Sequence, residues 1–194
     1  MKLTCLAHTG AALACLLTLA ACSPAETMTS TPGLSASEDE VQTGVLSASS
    51  TTDLEGNTLD QSILADYDLT MVNVWATFCG PCINEMPDLG ELAAEYADKG
   101  VQIIGLVSDT MDSDGTISDS QVETAKEIVA ETGADYRHLL PSDDLLGILS
   151  QIYAVPTTFF VDSEEVQVGD AILNAQSKKK WVETFAAMSA EVQA

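Results

Sequence analysis

Apolar and polar positions along the chain fall into two alternating patterns. Compact, β-favouring apolar runs occupy 69–75 and 101–107, and such short runs predict strands buried on both faces of a sheet. Between them a helical pattern opens at Pro81, which suits a first turn because its missing N–H has no partner there in any case. It places Leu89, Leu92, Ala93 and Tyr96 on one face and runs to about Lys99, where Gly100 stops it. Pro87 removes the bond to the carbonyl of Ile83 and predicts a kink. An amphipathic helix over 121–132 ends at Gly133, 136–140 reads as a strand and 145–152 as a short helix. Segments 157–161 and 166–168 pair as a hairpin, and 176–192 closes the chain as a helix with Trp181, Val182, Phe185 and Met188 apolar. Upstream, Asp53-Leu54-Glu55-Gly56-Asn57 is a turn between two short strands. Strands alternating with helices predict an α/β fold, and the closing hairpin makes its central sheet mixed.

Composition narrows the function. With 194 residues the chain builds one domain of ordinary size. Seven Lys and Arg against 30 Asp and Glu give a formal charge of −23, a field that repels nucleic acid and anionic headgroups. Residues 1–21 begin with a basic Lys2 and become almost wholly small or apolar from Ala11. That apolar stretch is about half the ~20 residues of a membrane-spanning helix, so it reads as a cleaved export signal. Its end, Leu19-Ala20-Ala21-Cys22 followed by Ser23 and Pro24, resembles the bacterial lipobox. The resemblance implies that Cys22 becomes the first mature residue and carries a lipid anchor. Residues 22–44 are rich in Ser, Thr, Pro and acids without helix or strand period. They predict a flexible tether spanning about 25 Å, with the folded domain over 45–194.

Of five cysteines, Cys5 and Cys15 lie in the signal and Cys22 at the lipobox, which leaves Cys79 and Cys82. An exported domain with one Cys-x-x-Cys pair has no thiol left over. The pair stands in Val74-Trp75-Ala76-Thr77-Phe78-Cys79-Gly80-Pro81-Cys82, where a buried strand ends and a helix begins. Free main-chain N–H groups and the positive end of the helix dipole stabilise a thiolate there. Cys79 is expected as the exposed attacking sulfur and Cys82, one turn in, as the shielded resolving one. Three other readings compete. A structural staple closing so short a loop yields only about 2 kcal/mol. A zinc site needs two more ligands, and the mature chain offers only His138, so no metal is expected. A non-enzymatic lipoprotein using the cysteines as a clasp for a metal or other ligand is the third.

Trp75 to Cys82 resembles the thioredoxin active site, and Val155-Pro156-Thr157 resembles its cis-proline loop. The resemblance implies a cis Pro156 against the cysteine pair and a Val155 backbone offered to substrate. Trp75, Phe78, Gly80 and Pro81 are then expected to line the substrate surface. Within that superfamily the chain is most similar to the TlpA/ResA-like group of membrane-tethered thiol–disulfide oxidoreductases. The anchor and tether, the opening hairpin around Asp53–Asn57 and Glu85-Met86-Pro87 carry that similarity. It implies a thioredoxin fold with an N-terminal β-hairpin extension and no cofactor beyond the Cys79–Cys82 disulfide. Thioredoxin's buried proton-accepting aspartate is replaced here by Asn73, which takes no proton. In the ResA-like group a glutamate three residues after the second cysteine fills that role, and Glu85 stands there, one turn beyond Cys82 on the same face. Phe78 replaces the usual tryptophan, Asn174 the usual glycine, and 109–120 reads as extra loop.

The expected activity is reduction of disulfides in exported proteins on the outer face of a bacterial membrane or in the periplasm. Electrons would come from a membrane thiol relay, and the domain is expected as a monomer. Gly80-Pro81 is the dipeptide of reducing thioredoxins, which predicts a potential nearer −270 mV than the −120 mV of the oxidant DsbA. A thiol peroxidase of related fold is the enzymatic alternative, although Cys79 lacks the Pro-x-x-x-Thr-x-x-Cys setting of peroxidatic cysteines. Asp112-Ser113-Asp114-Gly115 partly matches a calcium loop, but Thr110 and Gln121 stand where Asp and Glu are needed. Lys178-Lys179-Lys180 reads as a solvated helix start, with docking of an acidic partner as the alternative, and His138 as a core histidine.

Overall fold

A computed structural model of the protein describes residues 50–193. The export signal 1–21, Cys22, the tether 22–44 and the first residues of the expected domain lie outside the described residues. Strands β1 (Thr51–Thr52) and β2 (Thr58–Leu59) form the opening hairpin. Its turn is tied by Asp53, whose carboxylate accepts the N–H groups of Glu55 and Asn57 and the Asn57 amide. Asp53 also bridges to Leu139, and the N–H of Leu54 donates to the carbonyl of His138 at 3.0 Å. The hairpin thereby closes onto the edge of the main sheet.

That sheet comprises β3 (Leu69–Trp75), β4 (Val101–Val107), β5 (Arg137–Leu139), β6 (Thr157–Asp162) and β7 (Gln167–Leu173) in the order β5-β4-β3-β6-β7. The β3–β4 and β4–β5 pairs are parallel, and β3–β6 and β6–β7 antiparallel. Helix α1 (Gly80–Tyr96) follows β3, α2 (Asp119–Thr132) follows β4, the short α3 (Leu146–Leu149) lies between β5 and β6, and α4 (Lys178–Val192) closes the chain. This is a thioredoxin-like fold with an added hairpin.

The strand period of two sorts β3 into two faces. Val72 and Val74 join Ile104, Leu106, Leu139, Phe159 and Val161 in one buried cluster. Leu69, Met71 and Trp75 point to the other face, toward Cys82, Met86, Leu89 and Leu92 of α1 and Trp181 and Phe185 of α4. Asn73 lies on that second face, beneath the active-site helix. Its register partners are Gly105 on β4 and Thr158 on β6, and Gly105 in turn pairs with His138 on β5. A row of buried polar positions, Thr158, Asn73 and His138, therefore crosses the sheet at one level.

Boundaries differ from the sequence reading in instructive places. Helix α1 ends at Tyr96, and Ala97–Lys99 tighten into a 3-10 turn before Gly100 at φ 75°. Pro87 lies inside α1 without ending it. The stretch 109–120 is not idle loop: Met111 and Ile117 bridge across a tight turn, and Asp119 already begins α2. Strand β7 runs on to Leu173, and α4 starts only at Lys178, where the Ser177 hydroxyl accepts the N–H of Lys180. Lys178 is not merely solvated. Its ammonium contacts Glu91 and Glu95 of α1 at 2.7 Å each.

Candidate active site

Cys79 caps the N-terminus of α1 with extended backbone (φ −86°, ψ 92°), and its Sγ accepts the main-chain N–H of Cys82 at 3.2 Å. Pro81 occupies the first turn, so the proline removes a donor only where none is needed. Cys79 and Cys82 are joined in a disulfide with Cα atoms 5.3 Å apart. The expectation of an exposed Cys79 needs correction. It is only 5 % exposed and Cys82 1 %, because Trp75, Ala76, Met86, Val107 and Leu54 pack around the pair. Their neighbours Phe78, Gly80 and Pro81 are exposed.

Trp75 is wholly buried, which removes it from the substrate surface assigned to it from sequence. Its indole N–H donates to Nδ1 of His138 at 3.1 Å, and Nε2 of His138 lies 3.0 Å from the carbonyl of Ala134. That carbonyl can only accept, so His138 is the neutral Nε2–H tautomer. Burial pushes its pKa down to about 4. The Thr77 loop is fixed from the other side by Asp109. The carboxylate of Asp109 accepts the Thr77 N–H at 3.1 and 3.0 Å and the Thr77 hydroxyl at 2.6 Å. Gln121 of α2 adds its amide to the same knot.

The Val155–Pro156 peptide is cis. Pro156 is buried and its carbonyl accepts the N–H of Asn174 at 3.0 Å. Asn174 adopts φ 71°, a conformation that asparagine tolerates better than most side chains. Val155 lies beside an open groove of about 310 Å³ that it shares with Phe78, Ser108, Leu149, Ile152 and Tyr153. Phe78 is 77 % and Tyr153 82 % exposed. Tyr153 was not singled out from sequence. One exposed aromatic in a loop carries no signal until the fold sets it beside Phe78.

Glu85 is 3 % exposed, and its partners are all donors. Oε1 accepts the amide of Asn73 at 3.1 Å, while Oε2 accepts the main-chain N–H of Gln176 at 2.9 Å and the indole N–H of Trp181 at 3.3 Å. Burial raises its pKa above the ordinary carboxyl value, against the pull of these three N–H groups. Asn73 also donates to the Thr158 hydroxyl at 3.0 Å. Nothing in sequence spacing connects Trp181 or Gln176 to Glu85. Among the described residues no group of three or more His, Cys, Asp or Glu is placed to hold a metal ion, and no helix is long and apolar enough to cross a membrane.

A buried disulfide at a helix mouth, in a fold that also carries a cis-proline loop, invites comparison with known redox proteins. The sequence profile of the Redoxin family matches residues 36–172, well over half of the chain. The chain belongs to the Redoxin family. The match begins at residue 36, inside the segment expected as tether. Among family relatives, the thiol-disulfide oxidoreductase ResA of Bacillus thuringiensis is 29 % identical over 129 residues, covering 66 % of this chain and 68 % of that protein. The thiol:disulfide interchange protein DsbE of Vibrio cholerae is 33 % identical over 136 residues, covering 68 % and 63 %. A secreted Mycobacterium tuberculosis disulfide oxidoreductase, homologous to E. coli DsbE, superposes with a TM-score of 0.57 at 20 % identity, over 74 % of this chain and 97 % of that one. A thioredoxin family protein from Chlorobium tepidum gives 0.59 at 21 % identity, over 72 % and 92 %. Fold and family agree, and the chain is a thiol–disulfide oxidoreductase of the ResA and DsbE kind.

Proposed function

We propose that the chain is an extracytoplasmic, membrane-tethered reductase of disulfides in exported proteins, cycling Cys79 and Cys82 between dithiol and disulfide. The observation that carries the chemistry is the N–H of Cys82 donating to Sγ of Cys79 at the start of α1. A donor and a helix dipole aimed at sulfur favour its anion. The Cys79 thiolate attacks one sulfur of a substrate disulfide, forming a mixed disulfide and expelling the other substrate sulfur as thiolate. Cys82 then loses its proton to Glu85, attacks Sγ of Cys79 and releases the second substrate thiol. The substrate gains two electrons, and the Cys79–Cys82 disulfide forms. A membrane dithiol relay returns the pair to the reduced state. The groove flanked by Phe78, Tyr153 and Val155 supports a polypeptide substrate over a small one.

Export, lipidation of Cys22 and tethering by residues 22–44 rest on the sequence motif at Leu19-Ala20-Ala21-Cys22. Gly80-Pro81 supports the reducing direction. The Cys82→Ser variant tests the mechanism, since it removes the resolving sulfur and leaves Cys79 joined to its partner. Mass spectrometry of membrane extracts should then find exported proteins linked through Cys79. Absence of adducts, under conditions where a control reductase is trapped, would contradict the reading. Rapid oxidation of Cys79 by peroxide, with no exchange on protein disulfides, would favour a peroxidase instead.

A further inference from the structure

The face of α1 that carries Glu85 continues as a ladder of acids, and each rung meets the start of α4. Glu85 accepts from the Gln176 N–H and the Trp181 indole. Asp88 accepts the N–H of Lys178 at 3.0 Å, and Glu91 and Glu95 hold the Lys178 ammonium. The first turn of a helix has unpaired N–H groups and a partial positive charge, so α4 meets this stripe with its positive end. Trp181 is fully buried and Gln176 reaches Glu85 through main chain. The approach of both donors is therefore set by where α4 docks.

We propose that the start of α4 is the positioning element of the redox site, holding Glu85 through the indole N–H of Trp181 and the main-chain N–H of Gln176. Trp181 acts through Glu85 and touches neither sulfur nor substrate. The inference rests on the oxidoreductase reading above and assigns part of that site's control to the C-terminal helix. Donors favour the carboxylate, whereas burial favours the neutral acid. Removing one donor therefore moves Glu85 further toward the protonated form. The other titratable groups facing Glu85 are Asp88 on its own helix and Tyr136 ahead of β5. On α4, Lys178 is turned toward Glu91 and Glu95; from the sheet come the uncharged Asn73 and, behind it, Thr158.

The test is a carbon-13 NMR titration of the Glu85 carboxyl in the full-length oxidised protein, which needs no turnover. Trp181→Phe keeps a ring in place and deletes the N–H. It should raise the Glu85 midpoint by about one pH unit, a tenfold change in its ionisation constant. Phe185→Leu on the same helix, which packs on Tyr96 and Phe160 rather than Glu85, should lower Tm and leave the midpoint in place. In the unaltered protein the Trp181 indole resonance should titrate with the Glu85 midpoint. An unmoved midpoint in Trp181→Phe, an equal shift in Phe185→Leu, or an indole resonance flat across the Glu85 titration would each overturn the inference. The trapping experiment with Cys82→Ser would stand or fall separately.

Discussion

The indole N–H of Trp75 donates to Nδ1 of His138 across 3.1 Å, and both side chains are buried. This bond fixes the large ring packed among Cys79, Cys82 and Met86, and it does so only while His138 is neutral. The folded-state pKa of about 4 lies below the ordinary histidine value of 6.5. The stability so contributed is fully present above the unfolded value and is lost as pH falls from 6.5 toward 4. The linkage amounts to about 3 kcal/mol. His138→Asn offers an acceptor oxygen near Nδ1 and does not titrate. Urea unfolding should show the wild type losing about that much relative to the variant between pH 6.5 and 4. A constant difference across the window would contradict the assignment.

Gly105 makes room for this pair. A Cβ there would overlap His138 Nδ1 and lie 3.0 Å from Trp75 Nε1. Gly105→Ala should therefore destabilise by about 1–3 kcal/mol through overpacking and disturb the Trp75 indole resonance. A silent substitution would mean that the ring pair has slack.

Glu85 titrates with the opposite sign. Its folded pKa is raised, so its contribution to stability is full below the unfolded value and is lost as pH rises through the folded one. Glu85→Gln lacks this loss. Melting curves should show Tm of the wild type, relative to Glu85→Gln, falling as pH rises above the ordinary carboxyl value. The same variant should slow resolution of the mixed disulfide by about 10²-fold or more, as expected for removal of a general base.

Asp109 holds the loop that presents Phe78, through three contacts to Thr77. Asp109→Ala leaves the Thr77 N–H without its charged acceptor and should cost about 1.5–3 kcal/mol of stability. Chemical denaturation measures it directly.

Phe78 and Tyr153 flank the groove beside Val155. Truncating Phe78 to Ala removes an exposed aromatic from the proposed site of protein contact while leaving the Cys82 N–H on Sγ of Cys79 untouched. KM for a protein disulfide should rise about tenfold, equivalent to 1.4 kcal/mol, with kcat on a small disulfide unchanged. Equal losses on both substrates would place Phe78 in the chemistry instead.

How much of this was legible in the sequence depends on the range of the interaction. Strands β3 and β4 match the apolar runs residue for residue, because strands buried on both faces carry little ambiguity. The Cys79–Cys82 disulfide and the cis bond before Pro156 agree with the motifs, and Glu85, singled out by the family resemblance, is buried. Strand β7 was underestimated because it is an edge strand, largely exposed, with Gly169 at φ 66° and a register shift between Thr158 and Phe160. The Trp75–His138 bond spans 63 residues and the Trp181–Glu85 bond 96. Neither has a local signal, since both exist only after the sheet and α4 are in place. The burial of Cys79 escaped for a related reason: the buried cluster it joins draws on Leu54, Val107 and Leu140, far away in the chain.

The account turns on the ionisation of one sulfur, and titration of the Cys79 thiol in the reduced Cys82→Ser protein measures it most directly. Absorbance at 240 nm, checked by the pH dependence of alkylation, should give a midpoint well below the ordinary cysteine value of about 8.5. A midpoint at or above that value would contradict the claim that the mouth of α1 keeps this sulfur ready to exchange.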